Sequence, residues 1–115
     1  MPDAAWTSRS EGGRYRVSIG PESGKVELGS LQSWWARFET LQGRTFQPAR
    51  VVFRGGMPQH GHGFDTAPRV TEILGGGEVR IEGVRFHMAG DWRLRVDFLG
   101  PGGHDTAFFD VRVEH

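Results

Sequence analysis

The segment Asp91-Trp92-Arg93-Leu94-Arg95-Val96-Asp97-Phe98 alternates charged and apolar residues without a break. Successive side chains of an extended strand point to opposite faces, so its four apolar residues share one face and its four charged residues the other. The same alternation recurs in residues 14–19 and 109–114. These three segments predict β-strands that bury one face and expose the other.

Glycine-rich stretches separate these segments from other candidate strands. Further strands are predicted at about residues 25–29, 32–39, 49–54, 69–74 and 78–86. Residues 31–41 could also be read as a helix, but their alternation and the adjacent Trp34 and Trp35 favour a strand.

The strand at residues 78–86 changes phase in its middle. Val79 and Ile81 are apolar at odd positions, whereas Val84 and Phe86 are apolar at even positions, and Gly83 lies between the two pairs. A glycine at the point where the alternation slips predicts a β-bulge.

Seven or eight short strands, spaced by roughly ten residues, are typical of an all-β, antiparallel, immunoglobulin-like sandwich. We expect residues 13–115 to form this single domain. Residues 1–12 are polar with only Trp6 as an anchor, and we expect them to be loosely ordered.

The composition excludes several classes of function. The 115 residues include 14 basic and 14 acidic side chains, so no net charge attracts nucleic acid or anionic lipid. Cysteine is absent, which excludes thiol catalysis, disulfides and thiolate metal sites. No serine lies in a recognisable nucleophile turn. No apolar run approaches the roughly 20 residues of a membrane-spanning helix, and no signal peptide is visible.

A Met/His loop is the chemically unusual feature of the chain. The strand at residues 49–54 leads into Gly55-Gly56-Met57-Pro58-Gln59-His60-Gly61-His62-Gly63, which predicts a loop at one end of the sandwich. Imidazole and thioether groups are both good copper ligands, and the soft thioether favours Cu(I). Met57, His60 and His62 are therefore candidate metal ligands.

A second Met/His pair, His87-Met88, follows the strand at residues 78–86. If that strand continues with Phe86 pointing inward, Met88 points inward and His87 faces outward. Either side chain is a candidate to complete the site. Met88 alone is also typical of a core residue.

Less specific interpretations stay open at this point. Two histidines in a glycine-rich loop are often exposed residues without a function. Asp65 is better explained as a turn residue, because a hard carboxylate suits Cu(II) or Zn(II) better than Cu(I). His104 and His115 lie in a predicted turn and at the end of the chain, and we assign them no role.

Two blocks of the sequence resemble the YtkA-like/FixH-like domain family. One contains Met57-Pro58-Gln59-His60-Gly61-His62-Gly63 and the other Phe86-His87-Met88-Ala89-Gly90-Asp91-Trp92. The resemblance covers about residues 24–98. It implies an immunoglobulin-like domain in the periplasm or on the outer face of a bacterial membrane. It also implies copper at Met57, His60 and His62, together with His87 or Met88.

The sequence therefore predicts a copper chaperone or carrier that is not an enzyme, with Cu(I) favoured over Cu(II) and a protein partner for metal transfer. The resemblance implies that this carrier is periplasmic. A second hypothesis is a metal-free interaction module, or an accessory subunit of a larger envelope assembly, with Trp35 at the interface. A third is a small metalloenzyme that uses His60, His62 and Asp65. The oligomeric state is left open.

Overall fold

The alternating segment around Trp92 forms one strand of a two-sheet sandwich. The computed structural model describes residues 3–115. In chain order its strands are β1 (Trp6–Arg9), β2 (Tyr15–Pro21), β3 (Gln32–Thr40), β4 (Val51–Met57), β5 (His62–Gly63), β6 (Arg69–Gly75), β7 (Glu78–Val84), β8 (Gly90–Gly100) and β9 (Gly103–Val113). The prediction of an all-β antiparallel sandwich is confirmed, with nine strands in the described residues instead of seven or eight. No helical segment of residues 3–115 is long and apolar enough to cross a membrane.

Each sheet contributes one face to a shared core. The five-stranded sheet has the order β1-β2-β3-β7-β6 and the four-stranded sheet the order β5-β4-β8-β9. The inward residues of β8 are buried as the alternation predicts: Trp92, Leu94, Val96 and Phe98. Trp34 of β3 is also fully buried, and its ring lies 6.1 Å from that of Phe53 and 5.8 Å from that of Phe86. Burial of each such large apolar side chain stabilises the fold by about 1.5–3 kcal/mol.

The predicted bulge in β7 is confirmed. Trp34 pairs with Ile81 and Gln32 pairs with Val84, so β7 contains one more residue than β3 over this interval. Gly83 lies there with a φ of 89°, a left-handed conformation that only glycine adopts at little cost. The extra residue allows Ile81 and Val84 to be buried on the same face.

The strand predicted at residues 25–29 is wrong. This segment forms a single bridge, between Leu28 and Phe86. The buried side-chain amide of Gln32 replaces the missing ladder, since it donates to the Lys25 carbonyl at 2.6 Å and accepts from the Glu27 N–H at 3.1 Å. A side chain that satisfies the backbone in this way removes the need for strand pairing.

The polar N-terminal segment contributes one strand to the five-stranded sheet. Strand β1 lies within the polar segment of residues 1–12 and pairs with β2 along its whole length. Trp6 stacks on Trp34, with 5.7 Å between the ring centroids and an interplanar angle of 18°. Met1 and Pro2 lie outside the described residues.

Asp105 stabilises the turn that follows β1 through hydrogen bonds to the backbone. Its Oδ1 accepts hydrogen bonds from the backbone N–H groups of Gly12 at 2.9 Å and of Thr106 at 2.8 Å. Partial burial favours a higher pKa for Asp105, but the Ser10 hydroxyl, these two N–H groups and the nearby Arg14 together hold the pKa below its ordinary value of 3.8. The folded state therefore stabilises the ionised carboxylate.

We expect Asp105→Asn to lower the free energy of unfolding at pH 7 by about 1 kcal/mol, because a partly exposed charged hydrogen bond contributes less than a buried one. A carboxyl whose pKa is lowered by folding stabilises the protein above its unfolded pKa and loses this contribution as the pH falls through its folded pKa. Urea denaturation at pH 7 and pH 2 measures the effect. A difference between the two proteins that stays the same at both pH values would contradict this role of the charge.

Candidate metal centre

The Met/His segment is a hairpin and not the open loop that we expected. Strand β4 continues through Gly55 and Gly56 to Met57, and the chain returns in the two-residue strand β5. Met57 pairs directly with His62 across this hairpin. The N–H groups of His60 and Gly61 both donate to the Met57 carbonyl, at 3.0 Å each. The two histidines are therefore held in a tight turn and an edge strand.

Gly55 is required by an aromatic ring that lies across β4. A Cβ atom at Gly55 would lie 2.5 Å from Cε2 of Phe64 and 2.7 Å from Cδ2 of Leu94. The Phe64 ring stacks on Trp92, with 5.3 Å between centroids and 21° between planes. The contact of Phe64 with Trp92 thus anchors the chain immediately after the hairpin to the core.

Met57 is a core residue in this conformation. Only 2% of its surface is exposed, and a Cβ at Gly90 would lie 2.7 Å from its Cε. The reason is the alternation of β4, which directs Phe53 and Met57 to the same inner face. The expectation that Met57 lies in an open loop is therefore wrong. Its thioether lies behind the hairpin and reaches a surface ion only if the side chain changes rotamer.

The orientations of His87 and Met88 are the reverse of those expected. Met88 is 37% exposed, whereas the His87 ring packs edge-on against Trp92 with 5.5 Å between centroids. Strand β7 ends at Val84, so its alternation does not continue to these two residues. The Trp92 Nε1–H donates to the Met88 carbonyl at 3.0 Å, which holds this irregular segment in place.

Three imidazoles lie in a row at this end of the sandwich. The ring centroids of His60 and His62 are 6.3 Å apart, and those of His62 and His87 are also 6.3 Å apart. Two imidazoles that bind one ion through bonds of about 2 Å have centroids roughly 5–6 Å apart. The three rings are therefore neighbours, and their centroid separations do not by themselves show that the nitrogens converge on one point.

Asp65 lies behind His87 and not among the candidate ligands. Its Oδ1 is 3.9 Å from Nδ1 of His87, and its Oδ2 accepts a hydrogen bond from Arg85. His87 Nδ1 is buried and has no hydrogen-bond partner within residues 3–115. A metal-binding histidine usually donates its second ring N–H to a carboxylate, and Asp65 lies near that position without forming the hydrogen bond in this conformation. The arrangement leaves Nε2 of His87 as the nitrogen for an ion.

The side chains do not form a closed metal site in this conformation. Among residues 3–115, no three His, Cys, Asp or Glu side chains come close enough together to hold an ion. His60 and His62 are both exposed, and exposed side chains change rotamer within nanoseconds. The backbone brings three imidazoles to one end of the fold, and convergence on an ion requires rotation of these two side chains.

Comparisons with protein-family models, with curated proteins and with solved structures found no match for this chain. The resemblance to YtkA-like/FixH-like domains therefore stays a prediction.

We expect Gly55→Ala to lower the free energy of unfolding by about 1–3 kcal/mol, because the added methyl group overlaps Phe64 and Leu94. Gly63→Ala is the matched control, since a Cβ at Gly63 meets its nearest atom at an ordinary 3.5 Å. Urea denaturation compares the two variants. Equal stability of both would show that Phe64 does not need the space above Gly55.

Proposed function

We propose that this protein binds copper and carries it to a partner in the periplasm or on the outer face of a bacterial membrane, without being an enzyme. The ion would be bound by His60, His62 and His87, with Met88 as the thioether ligand. The single observation that carries this proposal is the row of three imidazoles, drawn from a turn, an edge strand and the segment after β7.

The ligand types favour copper over harder ions. Imidazole binds Cu(I), Cu(II) and Zn(II), whereas a thioether adds affinity mainly for Cu(I). Met88 is 37% exposed and is the accessible thioether, whereas Met57 is only 2% exposed and belongs to the core. A site without thiolates loses no ligand to disulfide formation in an oxidising compartment, which fits an extracytoplasmic location.

The exposure of the ligands supports a carrier over a permanent metal site. His60, His62 and Met88 are all exposed, so an incoming ligand of a partner protein has access to the ion. His87 differs because its ring packs on Trp92 and its exposed fraction is 22%. One fixed and several mobile ligands would allow stepwise transfer by ligand exchange.

Copper titration under anaerobic conditions, with a competing chelator, tests the proposal. We expect the combined substitution of His60, His62 and His87 by Ala to weaken Cu(I) binding at least about 100-fold, which corresponds to about 2.7 kcal/mol. The matched control replaces His104 and His115 by Ala, since His104 lies at the hairpin between β8 and β9 and His115 is the last residue.

Equal loss of affinity in the two sets of variants would reject the imidazole row as the site. Met88→Ala and Met57→Ala, tested singly with Cu(I) and Cu(II), identify the thioether. We expect only Met88→Ala to weaken Cu(I) binding, with Cu(II) binding unchanged. A site that prefers Zn(II) to Cu(I) would contradict copper as the cargo.

Asp65→Ala tests the outer partner of His87 separately. We expect copper affinity to fall roughly 10-fold, because the Asp65 carboxylate, 3.9 Å from Nδ1, would close on that nitrogen and orient the His87 ring once Nε2 binds an ion. Glu72→Ala is the control, since Glu72 is an exposed carboxylate that also forms an ion pair with an arginine. Unchanged copper affinity in Asp65→Ala would remove Asp65 from the site.

A metal-free interaction module is the second candidate. The observation that favours it is the exposure of two large apolar residues, Leu31 at 68% and Ile73 at 67%. Trp35 gives weaker support for an interface, because its ring is half-buried. The ring lies against Gly20, where an added Cβ would be 2.8 Å from Trp35 Cζ2. Partner capture that is unchanged by a chelator and by the triple histidine substitution would favour this candidate.

A further inference from the structure

A depression of about 310 Å³ lies on the outer face of the four-stranded sheet. Outward side chains of β4 and β8 form most of its lining, because the alternation that buries their apolar residues directs the charged ones to solvent. Its polar lining consists of Arg50, Arg54, Arg95, Asp97 and His104. None of these residues belongs to the candidate metal centre.

The arginines in this depression are arranged at a cost to stability. Arg54 of β4 and Arg95 of β8 are directly opposite each other in the sheet. Like charges in directly opposed cross-strand positions are destabilising. Within residues 3–115, neither Arg50 nor Arg54 has a carboxylate within 4.0 Å of its guanidinium nitrogens. Asp97, which pairs with Arg95, offsets part of this repulsion, and the charges of Arg50 and Arg54 stay without a carboxylate partner within residues 3–115.

Contacts with its neighbours fix the side chain of Arg95 and leave its two Nη groups without a partner. Its Nε donates to both oxygens of Asp97, at 3.0 Å each, and Asp97 is itself held by the Thr106 hydroxyl at 2.6 Å. The guanidinium carbon also lies 5.7 Å from the centroid of the Phe108 ring. These contacts engage Nε and one face of the guanidinium, so the two Nη groups have no hydrogen-bond partner within residues 3–115.

We propose that this depression binds a dianionic oxyanion such as a phosphate group. Three guanidinium groups, Arg50, Arg54 and Arg95, and one carboxylate, Asp97, leave a local charge of 3 − 1 = +2. A guanidinium presents a planar set of donors that matches two oxygens of such an anion. Bound phosphate would neutralise the opposed pair Arg54 and Arg95 and remove the repulsion between them.

Titration with inorganic phosphate at constant ionic strength, followed by NMR of the arginine side chains, tests this site. We expect phosphate to cause saturable chemical-shift changes at Arg50, Arg54 and Arg95. Chloride, a monoanion, should cause no saturable change at these residues. Arg54→Gln lowers the phosphate affinity at least about 10-fold, since it removes one of three cationic partners. Arg50→Gln, a position before β4, serves as a second variant with the same expected loss.

Arg112→Gln is the matched control, because Arg112 belongs to the same sheet and forms an ion pair with Asp91. We expect it to leave phosphate affinity unchanged. Arg16 of β2 and Arg37 of β3 lie in the other sheet, next to Glu39. Shifts of equal size at these two residues and at Arg112 would show diffuse screening and overturn the proposal, as would unchanged affinity in both Arg54→Gln and Arg50→Gln. The triple histidine variant should bind phosphate normally, so this site and the copper site are tested independently.

Discussion

The packing of aromatic rings around Trp92 is the interaction on which both the fold and the candidate metal centre depend. Trp92 is buried, and it contacts Phe64 by stacking and Phe86 and His87 edge-on. These three rings come from the segment after the hairpin and the segment after β7, neither of which is held by a long strand pairing. The indole N–H of Trp92 also donates a hydrogen bond to the Met88 carbonyl, which holds the segment after β7 in place. Loss of this ring would therefore separate the two halves of the candidate site as well as open the core.

The parts of the fold that could be predicted are those set by local alternation. Strand β8 is the clearest case, since each of its inward residues is apolar and buried. The bulge in β7 was also predictable, because Gly83 breaks the alternation at the point where the strand gains a residue. In both cases the signal lies within about ten consecutive residues, and period two applies to any strand with one buried face.

The parts that could not be predicted depend on individual side-chain contacts, which the alternation of apolar and polar residues does not encode. Strand β1 is ordered because Trp6 stacks on Trp34, and the segment at residues 25–29 is not a strand because Gln32 satisfies its backbone. The exposure of Met88 has the same kind of cause, since its backbone is held by Trp92 and not by a strand. The sequence did contain a signal for the position of Phe64. Gly55 lies at an inward position of β4, and a glycine there indicates that the side chain of another residue fills the space.

The three histidines are held with unequal firmness, and this difference affects how they could bind and release an ion. His87 packs on a buried tryptophan, whereas His60 and His62 lie on a hairpin whose second strand, β5, has only two residues. Short edge pairings with exposed backbone hydrogen bonds open at a lower free energy than the core strands do. A permanent cofactor site would require all its ligands to be held rigidly. One anchored imidazole near two on a short hairpin is therefore consistent with the proposed carrier, which would capture and release its ion.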